Sequence, residues 1–297
     1  ALLARKSGRP VRLIYGRKED IEATTKRHPA VCKVTLGCKR DGTFEAIKVD
    51  VVMDGGAYVT LTPVVLSRGT LHACGAYRFE AQAVDATAVA TSTPPNGAFR
   101  GFGAPQTIWA IERHVDAIAH ALGRDPADLR SQNLFNEGDV TATGQVLSVS
   151  VGGRACFDAA TKAADYNARR ENLARFNERL AKEGKRTRRG LGIATFMHGA
   201  GFTGAGERRL KGKVQVDLEA GGRLRVRSAS TDIGQGTETI FGQIAADASG
   251  VSIDHVAIEN PCTTNVPDSG PTVASRTVMV VGSIVGKAAK EVAERVR

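Results

Sequence analysis

The stretch Asn96-Gly-Ala-Phe-Arg-Gly-Phe-Gly-Ala-Pro-Gln106 lies between a diproline, Pro94-Pro95, and a segment in which Ile108, Ile111, Val115, Ile118 and Leu122 recur at three- and four-residue spacing. That spacing predicts an amphipathic helix from Pro105 to Leu122, closed by Gly123. Glycines let a backbone approach a ligand closely, and amides at a helix N-terminus favour an anion. Arg100 is placed to address a phosphate or an oxo group, and Phe102 to stack on a flat ligand. On the residues alone, a turn whose two phenylalanines plug the core is an equally open reading.

Working outward, short β-rich runs precede this loop at Val11–Tyr15, Cys32–Leu36, Phe44–Met53 and Gln82–Ala90, with Asp41-Gly42 as a hairpin signal. After it, Asp125 and Pro126 form the N-cap and first position of a second helix. Residues 154–182 read as a long helix running into a basic segment, Lys182 to Arg189, which marks a domain limit near 185–190. Beyond it the sequence predicts strands at Leu191–Phe196, Lys213–Leu218 and Leu224–Ser228, a helix at Thr237–Ser249, a strand at His255–Glu259 and a last helix from about Thr277. The order gives an α+β (mixed α/β) fold in two domains, 1–185 and 186–297.

Two further loops could carry chemistry. Thr231-Asp-Ile-Gly-Gln-Gly-Thr-Glu-Thr239 falls between a strand and a helix, with Gln235 between Gly234 and Gly236. Its amide can donate and accept, yet a plain pre-helical cap fits as well. Asp268-Ser-Gly-Pro-Thr-Val-Ala-Ser-Arg-Thr277 leads into the last helix with hydroxyls that suit either a phosphate or an ordinary cap. Gly199-Ala-Gly-Phe-Thr-Gly204 satisfies G-x-G-x-x-G, but further glycines and a strand follow it where a dinucleotide fingerprint needs a helix. His72, His114, His120 and His198 form no metal-ligand pair, so no metal site from side chains is expected.

Composition narrows the class. The 297 residues include five cysteines without a C-x-x-C pair, which argues against a disulfide framework, a zinc site or a cluster held by this chain alone, and for a reducing compartment. No apolar run reaches the ~20 residues that span a bilayer. The net charge of +10 is spread out, lacks aromatic interleaving and suits a protein holding an anionic cofactor better than one binding nucleic acid. The opening Ala-Leu-Leu-Ala-Arg-Lys reads as the end of a helix, and the sequence as an internal piece of a longer chain.

Taken together, these segments resemble the molybdenum-binding subunit of the xanthine dehydrogenase and aldehyde oxidase family, the molybdenum hydroxylases. Gly97–Gln106, the Gly234-Gln-Gly236 loop and Pro271-Thr-Val-Ala-Ser-Arg-Thr277 stand in the family's order and approximate separation. So do Gly8-Arg-Pro-Val-Arg12, Arg27-His-Pro29 and Asn136-Glu-Gly-Asp139, and the likeness runs over essentially the whole chain. The resemblance implies two molybdopterin-binding domains, both incomplete at the chain ends. It implies a molybdopterin dinucleotide, with 2Fe-2S clusters and FAD on partner domains or subunits of a cytoplasmic multi-subunit complex. The implied activity is hydroxylation of a purine or other N-heterocycle, xanthine-like, with water as oxygen source. An aldehyde, nicotinate or hydroxybenzoyl-CoA enzyme of the same family, or a non-catalytic scaffold subunit, stands as the alternative.

Position by position, the resemblance makes Phe102 and Phe202, the latter followed by Thr203, the aromatic walls around the substrate, and Arg68 the guanidinium that binds and polarises it. Arg100 and Gly101 match the loop beside the molybdenum. Gly234, Gln235 and Gly236, with Ala274, Ser275, Arg276 and Thr277, match the segments that hold the pterin and its phosphates. The family's Gly-Gly-Phe-Gly-Gly-Lys loop is expected before residue 1 and its general-base glutamate beyond Arg297, so the isolated 1–297 chain is expected to be inactive. Ser67 stands where xanthine enzymes often have an acidic residue.

Overall fold

Phe44, Ile47, Val49, Val51 and Met53 are buried while Lys48 and Val52 between them are exposed, the period-two pattern of a strand with one face on a core. The computed structural model describes residues 2–202 and 206–296, which fall into two compact units dividing between His198 and Gly199.

The first unit opens with short helices α1 (Leu2–Ser7) and α2 (Arg17–Ala23), then strands β1 (Ala30–Cys38) and β2 (Phe44–Gly56). β1 and β2 pair antiparallel, Cys32 opposite Val51, and the turn at Asp41-Gly42 joins them. Helix α3 (Thr62–Leu71) crosses over to β3 (Ala81–Ala90), which pairs parallel with β2, Val49 opposite Val84. Helix α4 (Ala104–Ala121) buries Thr107, Ala110, Ile111, Val115 and Ala119, the stripe its spacing demands. α5 (Pro126–Asn133) starts as the sequence predicts, with the Asp125 carboxylate accepting from the Ala127 N–H at 2.7 Å. Phe44 stacks on Phe79 at 5.5 Å and meets Tyr77 edge-on at 5.6 Å within the core.

Three expectations differ, and one helix is unannounced. Val11–Tyr15 forms no strand, because no neighbouring strand pairs with it. α3 is a helix that the sequence does not announce. The long helix expected over 154–182 is two, α6 (Gly153–Ala163) and α7 (Tyr166–Lys182), broken where Asp165 takes φ +47°. Residues 191–198 form no strand, although Leu191, Ile193, Thr195 and Met197 do face the core in alternation. The basic run at 182–189 is exposed throughout and lies within the first unit.

The second unit repeats the order of the first. After α8 (Gly206–Leu210), strands β4 (Gln215–Leu218) and β5 (Leu224–Arg227) pair antiparallel. Helix α9 (Thr237–Ser249) crosses to β6 (Val256–Ile258), parallel to β5. A π-helical turn at Thr277–Gly282 then runs into α10 (Ser283–Val296). Val226, Phe241, Ala245, Val281, Val285 and Ala289 form its separate core. Each unit is thus a hairpin, a helix, a parallel third strand and a closing helix. The loop at 97–103 and the segment at 268–276 both lead from a third strand towards its closing helix.

Candidate functional site

The Phe-Arg-Gly-Phe-Gly loop is pinned by backbone packing. Gly103 takes φ +99°, and a Cβ there would lie 2.2 Å from the Val65 carbonyl of α3. A Cβ on Gly69 would in turn meet the Gly103 carbonyl at 3.2 Å, and the Thr107 hydroxyl donates to the Gly69 carbonyl at 2.9 Å. The close approach puts Phe102 and Arg68 each one residue from the same backbone junction. Phe102 is held at φ +53°, a conformation non-glycine residues seldom adopt, with its N–H donating to the Phe99 carbonyl at 2.8 Å. Its ring packs partly on the core, whereas Phe99 is 51% exposed beneath the Arg27 guanidinium, 4.5 Å from the ring centre. Only one of the two phenylalanines is therefore even in part a core plug.

Arg100 is exposed and its carbonyl accepts from Arg27 Nη2 at 2.7 Å. Arg68 is buried, and its desolvated guanidinium sits below its ordinary pKa. The His72 Nδ1–H donates to the Arg68 carbonyl at 2.8 Å, and the His72 ring stacks on that of His198 at 5.3 Å. His198 Nε2 faces the Gly101 carbonyl at 3.3 Å. The first unit therefore gathers Arg68, His72, His198, Arg100, Gly101 and Phe102 around one loop.

The segment that carries His198 is held by a buried ion-pair network that sequence reasoning passed over. Arg130 Nε bonds Glu112 at 2.8 Å and its Nη1 bonds Asp116 at 2.8 Å. Glu112 also accepts from the Thr195 N–H at 2.9 Å, from the Thr195 hydroxyl at 2.9 Å and from the Tyr77 hydroxyl. That anchors the segment carrying His198 to α4. An acidic residue on a helix with no basic neighbour at helical spacing was the only signal available.

In the second unit the Gln235 amide is turned into its own loop. It accepts from the Ile233 N–H at 2.6 Å and donates to the Thr231 carbonyl at 2.8 Å and the Thr237 hydroxyl at 2.7 Å. Asp232 accepts from the Gly234 and Thr237 N–H groups at 2.6 and 2.8 Å, capping α9. Ala274 and Ser275 take φ +55° and +58°, followed by Arg276 in the right-handed helical region, whose N–H closes the turn on the Val273 carbonyl at 3.0 Å. Arg276 itself is 1% exposed and directed inward, paired with Glu207. Phe202 lies half-buried on an irregular segment whose N–H donates to Glu207 at 2.9 Å. Thr203 and Gly204 lie outside the described residues.

Molybdopterin cofactor-binding domain models match residues 1–134 and 159–297. The chain belongs to the molybdopterin cofactor-binding family of molybdenum hydroxylases. It is 32% identical to a probable xanthine dehydrogenase subunit of Bacillus subtilis over 95% of this chain and 36% of that relative. It is 29% identical to the nicotinate hydroxylase of Emericella nidulans over 100% of this chain and 22% of that one. Among solved structures, quinoline 2-oxidoreductase from Pseudomonas putida 86 superposes with a TM-score of 0.85 at 30% identity, covering 99% of this chain and 38% of that one. Aldehyde oxidoreductase from Desulfovibrio gigas gives 0.81 at 29%, over 98% and 31%. The chain thus spans well under half the length of these relatives.

The residues present fit an anionic pterin cofactor. Among the described residues, nothing beyond their chain neighbours lies within 4 Å of where a side chain would stand at Gly234 or Gly236, so their backbone is open to a ligand. Ser275 is exposed on its left-handed turn, and the π-helical winding that follows at Thr277 is a feature that gathers at functional sites.

Proposed function

We propose that this chain is the cofactor- and substrate-binding part of an oxidoreductase that hydroxylates a purine or a related aromatic N-heterocycle, with water as oxygen source. The observation that carries this reading is Arg68, a buried guanidinium on α3 beside the backbone junction that fixes Phe102. For a ring lying against Phe102, that guanidinium would stabilise charge that develops on its nitrogens or oxygens. Phe202 serves as the second wall. Arg100 and Gly101 present the loop to the cofactor, while Gly234, Gln235, Gly236, Ala274, Ser275 and Thr277 hold its pterin and phosphates and Arg276 braces the last of these segments from within. When bound, the molybdopterin dinucleotide supplies the metal and the redox chemistry; the side chains here orient the ring and balance its charge. The general base, the 2Fe-2S clusters and the FAD belong to the rest of the complex. Five free cysteines suit a cytoplasmic home for that complex.

Arg68→Ala in the complete complex tests the proposal. We expect purine turnover to fall by roughly 100- to 1,000-fold, the cost of losing one preorganised charge-stabilising group, with molybdenum content unchanged. Unchanged purine turnover, or an equal loss on an aldehyde that needs no such cation, would overturn the heterocycle reading.

A further inference from the structure

Arg276 makes an unusual set of bonds for a residue in a ligand-binding segment. Its Nε lies 3.0 and 2.9 Å from the two Glu207 oxygens, and its Nη1 donates to the Ser269 and Pro271 carbonyls at 3.1 and 2.8 Å. The guanidinium fills the space beside Gly270, where a Cβ would stand 3.0 Å from Nη1. It therefore braces the chain on both sides of the Ala274–Ser275 turn, and its remaining nitrogen, Nη2, is buried rather than presented to a phosphate outside the protein. Two successive left-handed non-glycine residues persist only where their surroundings hold them. Arg276 provides that hold from within.

Glu207 carries the brace further. The oxygen that meets Arg276 also accepts the Phe202 N–H at 2.9 Å. The neighbouring Gly201 N–H donates to the Ala274 carbonyl at 2.5 Å. A Cβ on Gly206 would stand 2.5 Å from that of Phe202, so α8 begins against the root of the aromatic side chain. Two separate bonds thus join the Gly201–Phe202 backbone to the 269–276 segment, one from Phe202 through the carboxylate and one direct from Gly201.

We propose that Glu207 and Arg276 are positioning residues that set the Phe202 wall and the Ala274–Ser275 turn as a single unit, so that the orientation of the substrate ring and the seat of the cofactor are fixed together. This rests on the reading of Phe202 as a substrate wall. The carboxylate has two separable duties. Any oxygen acceptor at 207 can hold the Phe202 N–H, whereas only an anion can neutralise the buried guanidinium of Arg276.

The test uses the complete cofactor-loaded complex with xanthine, nicotinate, quinoline or an aldehyde, whichever the unmodified complex turns over fastest. For Glu207→Ala we expect KM to rise roughly tenfold or more, the loss of one charge-assisted hydrogen bond, with kcat nearly unchanged, and molybdenum retained after gel filtration to fall by about half or more. Glu207→Gln should restore KM but not molybdenum retention, because it returns the acceptor without the charge. Arg276→Lys should lose retention while leaving KM near that of the parent. Phe202→Ala separates the two readings. If it leaves KM unchanged, the wall assignment fails whatever Glu207 does; if it raises KM while Glu207→Ala changes neither KM nor retention, the positioning pair alone is overturned. Should Glu207→Ala fail to fold, Glu207→Gln decides: parental molybdenum retention in that variant refutes the proposal.

Discussion

Phe102 and Gly103 take φ of +53° and +99° in succession, and the second leaves 2.2 Å between a hypothetical Cβ and the Val65 carbonyl. A phenylalanine in the left-handed region is strained by about 1–2 kcal/mol, and the strain is tolerated because α3 and α4 clamp the loop from two sides. Gly103→Ala adds backbone strain of about 1–3 kcal/mol and a contact that only movement of α3 can relieve. We expect it to lower stability by at least that amount, measured by chemical denaturation, and to displace Arg68 together with Phe102, seen as a rise in KM for the ring substrate. The thiols give a second residue-scale expectation. Burial pushes the Cys74 thiol up to about 11, while hydrogen bonds from Thr264 draw the exposed Cys262 thiol below its ordinary value. At pH 8 Cys262 should alkylate at least about 100-fold faster than Cys74, as peptide mass mapping with iodoacetamide would show. Equal rates would mean that the two environments are misassigned.

Helix α4 shows how an element can serve a site it does not enter. Its inner stripe packs on the sheet, while Glu112 reaches sideways to Arg130, Tyr77 and Thr195. Arg130 is fully buried, so removing it strands a carboxylate without its counter-charge. We expect Arg130→Met to cost about 3–5 kcal/mol and Thr195→Val about 1–3 kcal/mol, each followed by urea unfolding; a cost below 1 kcal/mol for Arg130→Met would show the network to be dispensable. Elements of this kind mark the limit of what the sequence discloses. α4 is legible because its apolar residues repeat at helical spacing. α3 is not, since Thr62-Pro-Val-Val-Leu-Ser-Arg-Gly-Thr-Leu71 contains two valines, two threonines and a glycine, all weak helix formers. Its helix is imposed by the close packing of Gly69 on Gly103. The segment 191–198 errs the other way. Its alternation is real, but Glu112 takes up the Thr195 N–H that a neighbouring strand would otherwise bind.

Across the whole molecule, two separate cores carry the same order of hairpin, helix, parallel strand and closing helix. The glycine-rich loops that the sequence singles out fall at corresponding points of that order, which is why a reading of motifs reaches them. Glu112 and Glu207 escape it because Thr195 and Arg276, which they hold, lie 83 and 69 positions away. Histidines of the first unit give the molecule a pH response. His28 and His72 are both buried there, and burial lowers both below the ordinary 6.5, in His28 against the pull of Asp54 and in His72 against its hydrogen bond to the Arg68 carbonyl, with help from the charges of His198 and Arg68. The folded state thus keeps them neutral where the unfolded chain binds protons. Stability must then rise with pH through that interval, so it is intact above pH 6.5 and is lost as pH falls from there towards the lowered folded values. Asp41 and Asp54, both held below the ordinary 3.8 by hydrogen bonds, add their own loss only in more acidic solution. The two windows are separable. Thermal unfolding between pH 7.5 and about pH 5 should show a falling midpoint, and hydrogen exchange should place the early opening in β2 and α3. His72→Asn, which removes the proton-binding ring, should flatten that decline while costing stability at pH 7.5. A midpoint that holds steady across the interval, or one that falls equally in the variant, would show that His72 does not govern the acid response.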